Sequence, residues 1–264
     1  MYTQRDAMTS PRRDRVSVLQ APIDAICWEG TLARIAAWAA LRESRYVCFC
    51  NAHSVVTAGR DPAFRQVLAE ADLATADGAP VAWMVRRMGF AQQERINGPD
   101  LMWRYCAQAA QRGEKTYLFG GTPDTLAELQ SRLAQTFPGL QVVGSYSPPF
   151  RDLTATEDED TVACINASGA GTVWVSLGCP KQEMWMAARR GCIQAVMIGV
   201  GTAFDYHAGT VRRAPRWMQH TGLEWLHRLY TEPRRLWKRY LVTNTLFVLG
   251  ALRQLALRRS RPGR

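Results

Sequence analysis

Short apolar runs, each closed by a glycine or a polar turn residue and followed by a stretch of helical spacing, recur along most of the chain. The first is Tyr46 to Cys50, rich in β-formers and ending at the turn-prone Asn51. Asp61-Pro62 then opens a helix through an N-cap carboxylate and a proline in the first turn, with Phe64, Val67 and Leu68 as its apolar stripe. A short apolar piece, 73–76, leads into Asp77-Gly78 and a helix holding Val81, Trp83, Met84 and Val85, and a further helix follows over 99–112. From Lys115 the alternation is regular: strands over 116–119, 140–143, 172–177 and 195–200, with helices starting at Pro123, near Glu157 and at Pro180. Strands separated by helices of this length predict βαβ units, and so an α/β, Rossmann-like core whose parallel sheet carries helices on both faces.

The last fifth breaks this rhythm. Residues 241–257 are apolar on most sides but interrupted by Thr243, Asn244, Thr245, Arg253 and Gln254, short of the roughly 18 clean apolar residues a spanning helix needs. Trp217, Trp225, Tyr230, Trp237 and Tyr240 precede this run among arginines. An apolar helix with belt aromatics and basic residues suits a segment lying in a membrane interface; a terminal helix docked on the core is the plainer alternative. The expected division is a loose tail over 1–15, an α/β core over 16–209 and a basic appendage over 210–264.

Charge sharpens that division. The net charge of +10 is not spread evenly: residues 210–264 hold thirteen Lys/Arg against two Asp/Glu, and residues 1–209 hold twenty against twenty-one. Such asymmetry points to an anionic partner, whether nucleic acid, phosphate groups or an acidic membrane surface. The seven cysteines are odd in number and show no metal spacing, which predicts core thiols in a reduced compartment. The polar opening lacks the pattern of a secretory leader, so a cytoplasmic protein is expected.

In a doubly wound sheet, ligands bind beyond the carboxyl ends of the strands, where helix N-termini present unpaired N–H groups. Three glycine-bearing strand ends qualify: Gly120-Gly121, Gly178 running into Lys181-Gln182-Glu183, and Gly199 to Gly201 running into Phe204-Asp205. Together they favour a nucleotide-sized ligand. Neither a G-x-G-x-x-G fingerprint in the first strand-to-helix turn nor a Walker loop is present, which weighs against a nicotinamide oxidoreductase. Asp77 emerges at a strand end, where it is either a helix cap or a reactive carboxylate. Asp158-Glu159-Asp160 reads as a solvated helix start rather than a metal motif, and the four histidines have no ligand spacing.

With these residues the chain closely resembles the WecG/TagA/CpsF family of bacterial glycosyltransferases, from about Val16 to Tyr240. The resemblance lies in Pro22-Ile-Asp24, the strand into Asn51, Ala76-Asp77-Gly78, Arg95 with Gly98-x-Asp100, Phe119-Gly-Gly121 and Leu177-Gly178-x-Pro180-Lys-Gln-Glu183. It continues through Gly201-x-x-Phe204-Asp205, Gly209, Arg213-Ala-Pro215, Glu224-Trp225-Leu-x-Arg228 and Glu232-Pro-x-Arg235. It implies an inverting, metal-independent transferase without cofactor. The donor would be a UDP-sugar and the acceptor an undecaprenyl-diphosphate-linked sugar, joined through a β-linkage at the inner membrane face. By the same resemblance Asp77 is the general base, Asn51 and Gln182 line the donor-sugar pocket, and Arg95 lies on the phosphate side. Gly120, Gly121, Lys181, Gly201, Phe204 and Asp205 belong to the substrate loops. Arg228, Arg235 and Lys238 match a segment that folds over the site and holds the diphosphate. Phe49 stands where members commonly carry threonine. Two readings compete: a basic nucleic-acid binder, which would use the tail but leave the loops idle, and a nicotinamide enzyme, which would use the loops but not the tail. The donor sugar, the acceptor sugar and the oligomeric state, homo-oligomers included, are not fixed by these motifs.

Overall fold

Alternating side chains on buried strands must satisfy two apolar layers at once. In the computed structural model, which describes residues 13–259 apart from the side chains of His220, Arg235 and Arg259, they do so in a six-stranded sheet. The strands are β3 (Arg45–Cys50), β4 (Leu73–Ala76), β5 (Lys115–Gly120), β6 (Gln141–Tyr146), β7 (Thr172–Ser176) and β8 (Val196–Gly199). Their order is β4-β3-β8-β7-β5-β6, and every pairing is parallel. Tyr46, Cys48, Phe119, Val173 and Met197 point into one core, shared with α2 (Ala52–Arg60), α3 (Pro62–Glu70), α4 (Ala79–Arg87), α7 (Ala155–Ser168) and α8 (Lys181–Ala188). Val47, Leu118, Trp174 and Ile198 point into the other, shared with α1 (Trp28–Ala40), α5 (Gly98–Gln111), α6 (Pro123–Thr136) and α9 (Ala203–Ala208). The expected α/β sheet with helices on both faces is therefore present.

Several local signals act as the sequence suggests. Asp61 caps α3 by accepting from the N–H groups of Ala63 and Phe64. Thr154 and Glu157 form a capping box at the start of α7, and Asp158 in its first turn pairs with Arg189. Three of the seven free thiols, Cys27, Cys164 and Cys192, are exposed rather than in the core as expected.

Gly120 (φ +108°) ends β5 where its backbone runs against β7: a Cβ there would lie 2.3 Å from Ser176 O. Gly120→Ala is therefore expected to lower the unfolding free energy by about 2 kcal/mol or more, from backbone strain and an unrelieved clash together. Urea denaturation followed by circular dichroism measures this; an unchanged midpoint would show that the strand end relaxes freely.

Of the stretch expected as a loose tail, residues 1–12 lie outside the described residues, while Arg13 and Arg15 both bind the Asp24 carboxylate. Arg15 begins an antiparallel hairpin, β1 (Arg15–Val18) and β2 (Ala21–Asp24), and Asp24 also accepts from the N–H of Ala74 on β4.

At the other end come α10 (Arg216–Thr221), α11 (Glu224–Thr231) and a continuous 27-residue helix, α12 (Pro233–Arg259). Leu236, Thr243, Phe247 and Ala251 are buried along one side of α12, which packs on α2. Gln254 locks this side to the hairpin, accepting from Leu19 N–H at 2.9 Å and donating to Ser17 O at 2.6 Å. The opposite side exposes Leu241, Val242, Val248, Leu249 and Leu252, the last at 61%. By length and composition the stretch Leu236–Arg258 could cross a membrane. Both tail alternatives thus describe part of one helix: half of it is docked and half is bare.

Candidate active site

A cleft of about 510 Å³ opens at the carboxyl ends of β3, β4, β7 and β8, on both sides of the point where the strand order reverses. Its walls are the loops that follow those strands, and its roof is made by Gly222 to Arg228 together with Arg239, Tyr240, Thr243 and Asn244. The C-terminal segment therefore completes the site.

Asp77 follows the last residue of β4 and faces this cleft. It caps nothing: the N-cap of α4 is Gly78, with no side-chain hydrogen bond, so the helix-cap alternative fails. One-fifth of its side chain is open and protein packs the rest, and that burial pushes its carboxyl up to about 6 against the opposing pull of Arg95. Arg95 Nε lies 3.7 Å from Asp77 Oδ1. The same guanidinium binds Glu224 Oε2 at 2.5 Å and Gln219 O at 3.1 Å. Arg213 extends the network, reaching Glu224 Oε1 at 3.4 Å and pairing with Asp100. Arg95 therefore sits between two carboxylates and is not a free phosphate ligand in this arrangement.

Asn51 and Gln182 both line the cleft, and both have local duties. Asn51 Oδ1 caps α2 by accepting from His53 and Ser54 N–H, which leaves its Nδ2 for a ligand. Gln182 is buried, donating from Nε2 to Gly199 O (3.0 Å) and Glu183 Oε1 (2.9 Å) and accepting from Gly201 N–H (3.1 Å). It clamps the strand end that carries Gly201. Glu183, also in the cleft wall, is buried with Oε2 unpartnered, and burial raises its carboxyl above the usual range.

The other expected substrate residues divide. Gly201 and Arg228 line the cleft. Gly120, Gly121, Lys181, Phe204, Asp205 and Lys238 do not. Gly120 is needed for the β5–β7 approach, and Gly121 lies against the Phe204 ring, which is fully buried in the core. Lys181 points outward, 3.5 Å from Asp152. Asp205 uses its backbone oxygen to accept from Val211 N–H and the Thr210 hydroxyl. Lys238 packs its ammonium over the Trp237 ring. The side chain of Arg235 lies outside the described residues.

Among the described side chains, the cation that α12 brings to the cleft is Arg239, one residue beyond Lys238, with a buried and unpartnered Nε. It went unnoticed in the sequence because only the helical phase of α12 distinguishes it from its basic neighbours. Among the described residues neither Arg228 nor Arg239 has a carboxylate within ion-pair distance. Burial together with Arg239 holds His53 below the ordinary imidazole value, so the cleft wall beside it is a neutral ring. Phe49, in the position where threonine is common in the resembling family, contributes an apolar patch.

A cleft at a topological switch point, a half-buried carboxylate of raised basicity and two arginines without a carboxylate partner under a C-terminal roof suit a group-transfer reaction. The sequence pattern of the Glycosyl transferase WecG/TagA/CpsF family matches residues 16–261, nearly the whole of the 264-residue chain. The chain belongs to the WecG/TagA/CpsF family of glycosyl transferases.

Proposed function

We propose that the chain transfers a hexose or N-acetylhexosamine from a UDP-sugar to a polyprenyl-diphosphate-linked sugar, with inversion, in the synthesis of a cell-surface or exported polysaccharide. The observation that carries this reading is the pairing, in one cleft, of Asp77 at about 6 with the unpaired Arg228 and Arg239. In a single displacement the acceptor hydroxyl oxygen attacks the anomeric carbon, Asp77 takes the hydroxyl proton, and the bond from that carbon to the diphosphate breaks. The electron pair leaves on UDP. A base with this value is ionised at neutral pH yet still basic enough to draw a proton, a contribution of about 10²–10⁴ in rate. Arg228 and Arg239 stabilise the departing diphosphate, with Asn51 Nδ2 and the Gln182-clamped Gly201 loop shaping the sugar pocket.

The bare side of α12 and the exposed rings of Trp217, Tyr230 and Trp237 support a peripheral seat on an anionic membrane at its inner face. Crossing the bilayer would require pulling Phe247 and Ala251 out of the core and breaking the bonds of Gln254 to the hairpin. The basic appendage over 210–264 has no nucleic-acid role in this reading, because its inward cations roof the cleft.

The test is a screen of UDP-sugars with a synthetic, water-soluble lipid-diphosphate-sugar acceptor, read by mass spectrometry in excess EDTA. Full transfer is expected with the chelator present, since among the described residues no group of three His, Cys, Asp or Glu side chains is arranged to hold a metal ion. Turnover abolished by EDTA and restored by magnesium or manganese would overturn the arginine-based account of the leaving group.

A further inference from the structure

The contact between Arg95 and Asp77 is unusual in what it leaves unmade. The two side chains are adjacent and opposite in charge, yet their nearest approach is 3.7 Å, too long for a hydrogen bond, and Arg95 Nε is buried without a partner. An arginine beside a carboxylate ordinarily closes on it through two parallel N–H bonds. Here both Nη atoms are drawn to the C-terminal segment, Nη2 to Glu224 Oε2 and Nη1 to Gln219 O. Glu224 is the first residue of α11, and its other oxygen faces Arg213, which is tied in turn to Asp100.

We propose that Glu224 is a positioning residue for the base: by engaging Arg95 and Arg213 it holds the Arg95 guanidinium at the edge of Asp77 and prevents it from closing on that carboxylate. The inference rests on Asp77 being the base. The charged groups facing Asp77 are Arg95 from the loop before α5, Asp100 from α5, Arg213 from the segment after α9, and Glu224 from α11. Among these four, two cations stand against two anions, and Tyr206 and a further cation, Arg228, line the same cleft. Neutralising Glu224 leaves two cations against one anion and also frees the Arg95 fork. Both changes favour the ionised form of Asp77, and an opposite charge at contact distance lowers a carboxyl by about one to three units. The base would then be fully ionised but weakly basic. Because Glu224 and Gln219 belong to the segment that roofs the cleft, docking of that segment and basicity of Asp77 are set by the same pair of bonds.

The experiment is a carboxyl-carbon NMR titration of the full chain labelled with ¹³C-aspartate, with the Asp77 resonance assigned as the one missing from Asp77→Asn. The wild-type midpoint is expected near 6. In Glu224→Gln it should fall by at least about one unit. In Arg95→Gln it should rise above the wild-type value, and Glu224→Asp should return it toward wild type. The acid limb of kcat against pH, measured with whichever UDP-sugar the screen selects, should follow the same order. A merely structural role would lower the melting temperature of these variants and leave the midpoint in place. A midpoint unmoved or raised in Glu224→Gln, or unmoved in Arg95→Gln, overturns the proposal, and the opposite signs of the two variants keep it decidable if one does not fold. Failure of the base assignment shows separately, as normal turnover in Asp77→Asn.

Discussion

Asp77→Asn is expected to lower turnover at least about a hundredfold while leaving UDP binding within a few-fold, because an amide keeps the shape and takes no proton. The same substitution should make the protein more stable at pH 8. Folding raises the Asp77 carboxyl to about 6, above the ordinary value of about 3.9, so the native state binds its proton more tightly than the unfolded chain does. The cost of holding it ionised is absent below about pH 4, grows as pH rises through 6 and is complete above that. Removing the charge should gain on the order of 1–3 kcal/mol at pH 8 and nothing at pH 3.5. Isothermal titration with UDP, a turnover assay and urea melts at the two pH values measure the three effects. Near-normal turnover would remove Asp77 from the mechanism. A loss of stability at pH 8 would mean that its charge holds the cleft together rather than straining it.

The second large effect concerns the C-terminal helix, where the bare apolar side proposed as a membrane seat and the roof of the cleft lie on opposite sides of the same turns. Replacing Leu241, Val242, Leu249 and Leu252 by glutamine is expected to abolish sedimentation with anionic vesicles and to preserve turnover of a water-soluble acceptor, since all four are exposed. Ending the chain after Tyr240 removes the same apolar face, but it also removes Thr243 and Asn244 from the cleft and uncovers the sites of Phe247 and Ala251. That variant should lose vesicle binding and turnover together, with a melting temperature lowered by several degrees, because the buried Phe247 ring alone is worth about 3–5 kcal/mol. Ending it before Thr221 also removes Glu224, Arg228 and Arg239 and should leave no transfer on any acceptor. High salt should weaken vesicle binding of the intact protein only in part, as it screens the arginines and not the inserted side chains. Full turnover in the chain ending at Tyr240 would show that the cleft is complete without α12.

Which parts of this were legible in the sequence follows from where the information lay. The parallel sheet was readable because its strands other than the edge strand β6, which carries Gly144 and Ser145, are short apolar runs with a turn residue at one end, and Asp77 and Asn51 were readable as polar residues just past such ends. The hairpin at the N-terminus was not. Its turn is made by Leu19 (φ 48°) and Gln20 (φ 75°), neither of which announces a left-handed conformation as glycine or asparagine would. The second helix was hidden because Asn51 serves both as strand end and as its cap. The roles of Gly120, Phe204 and Lys181 could not be separated from those of Gly201 and Gln182 by spacing alone. All follow strands, and only the tertiary approach of β5 to β7 decides that Gly120 is structural. The network of Glu224, Arg95 and Arg213 joins positions more than a hundred residues apart, and the choice of Arg239 over Lys238 depends on the rotation of α12 against α2.

The lock between Gln254 and the hairpin at Ser17 and Leu19 joins residues 235 and 237 positions apart. The hairpin is thus translated well before the glutamine that secures it. A nascent chain that has not yet reached α11 lacks the roof, the Glu224 that engages Arg95 and the exposed apolar side of α12. The cleft and the exposed apolar side of α12 are therefore both completed late, once this long-range contact has formed. A ribosome that stops before α11 releases a sheet without the C-terminal wall of its cleft.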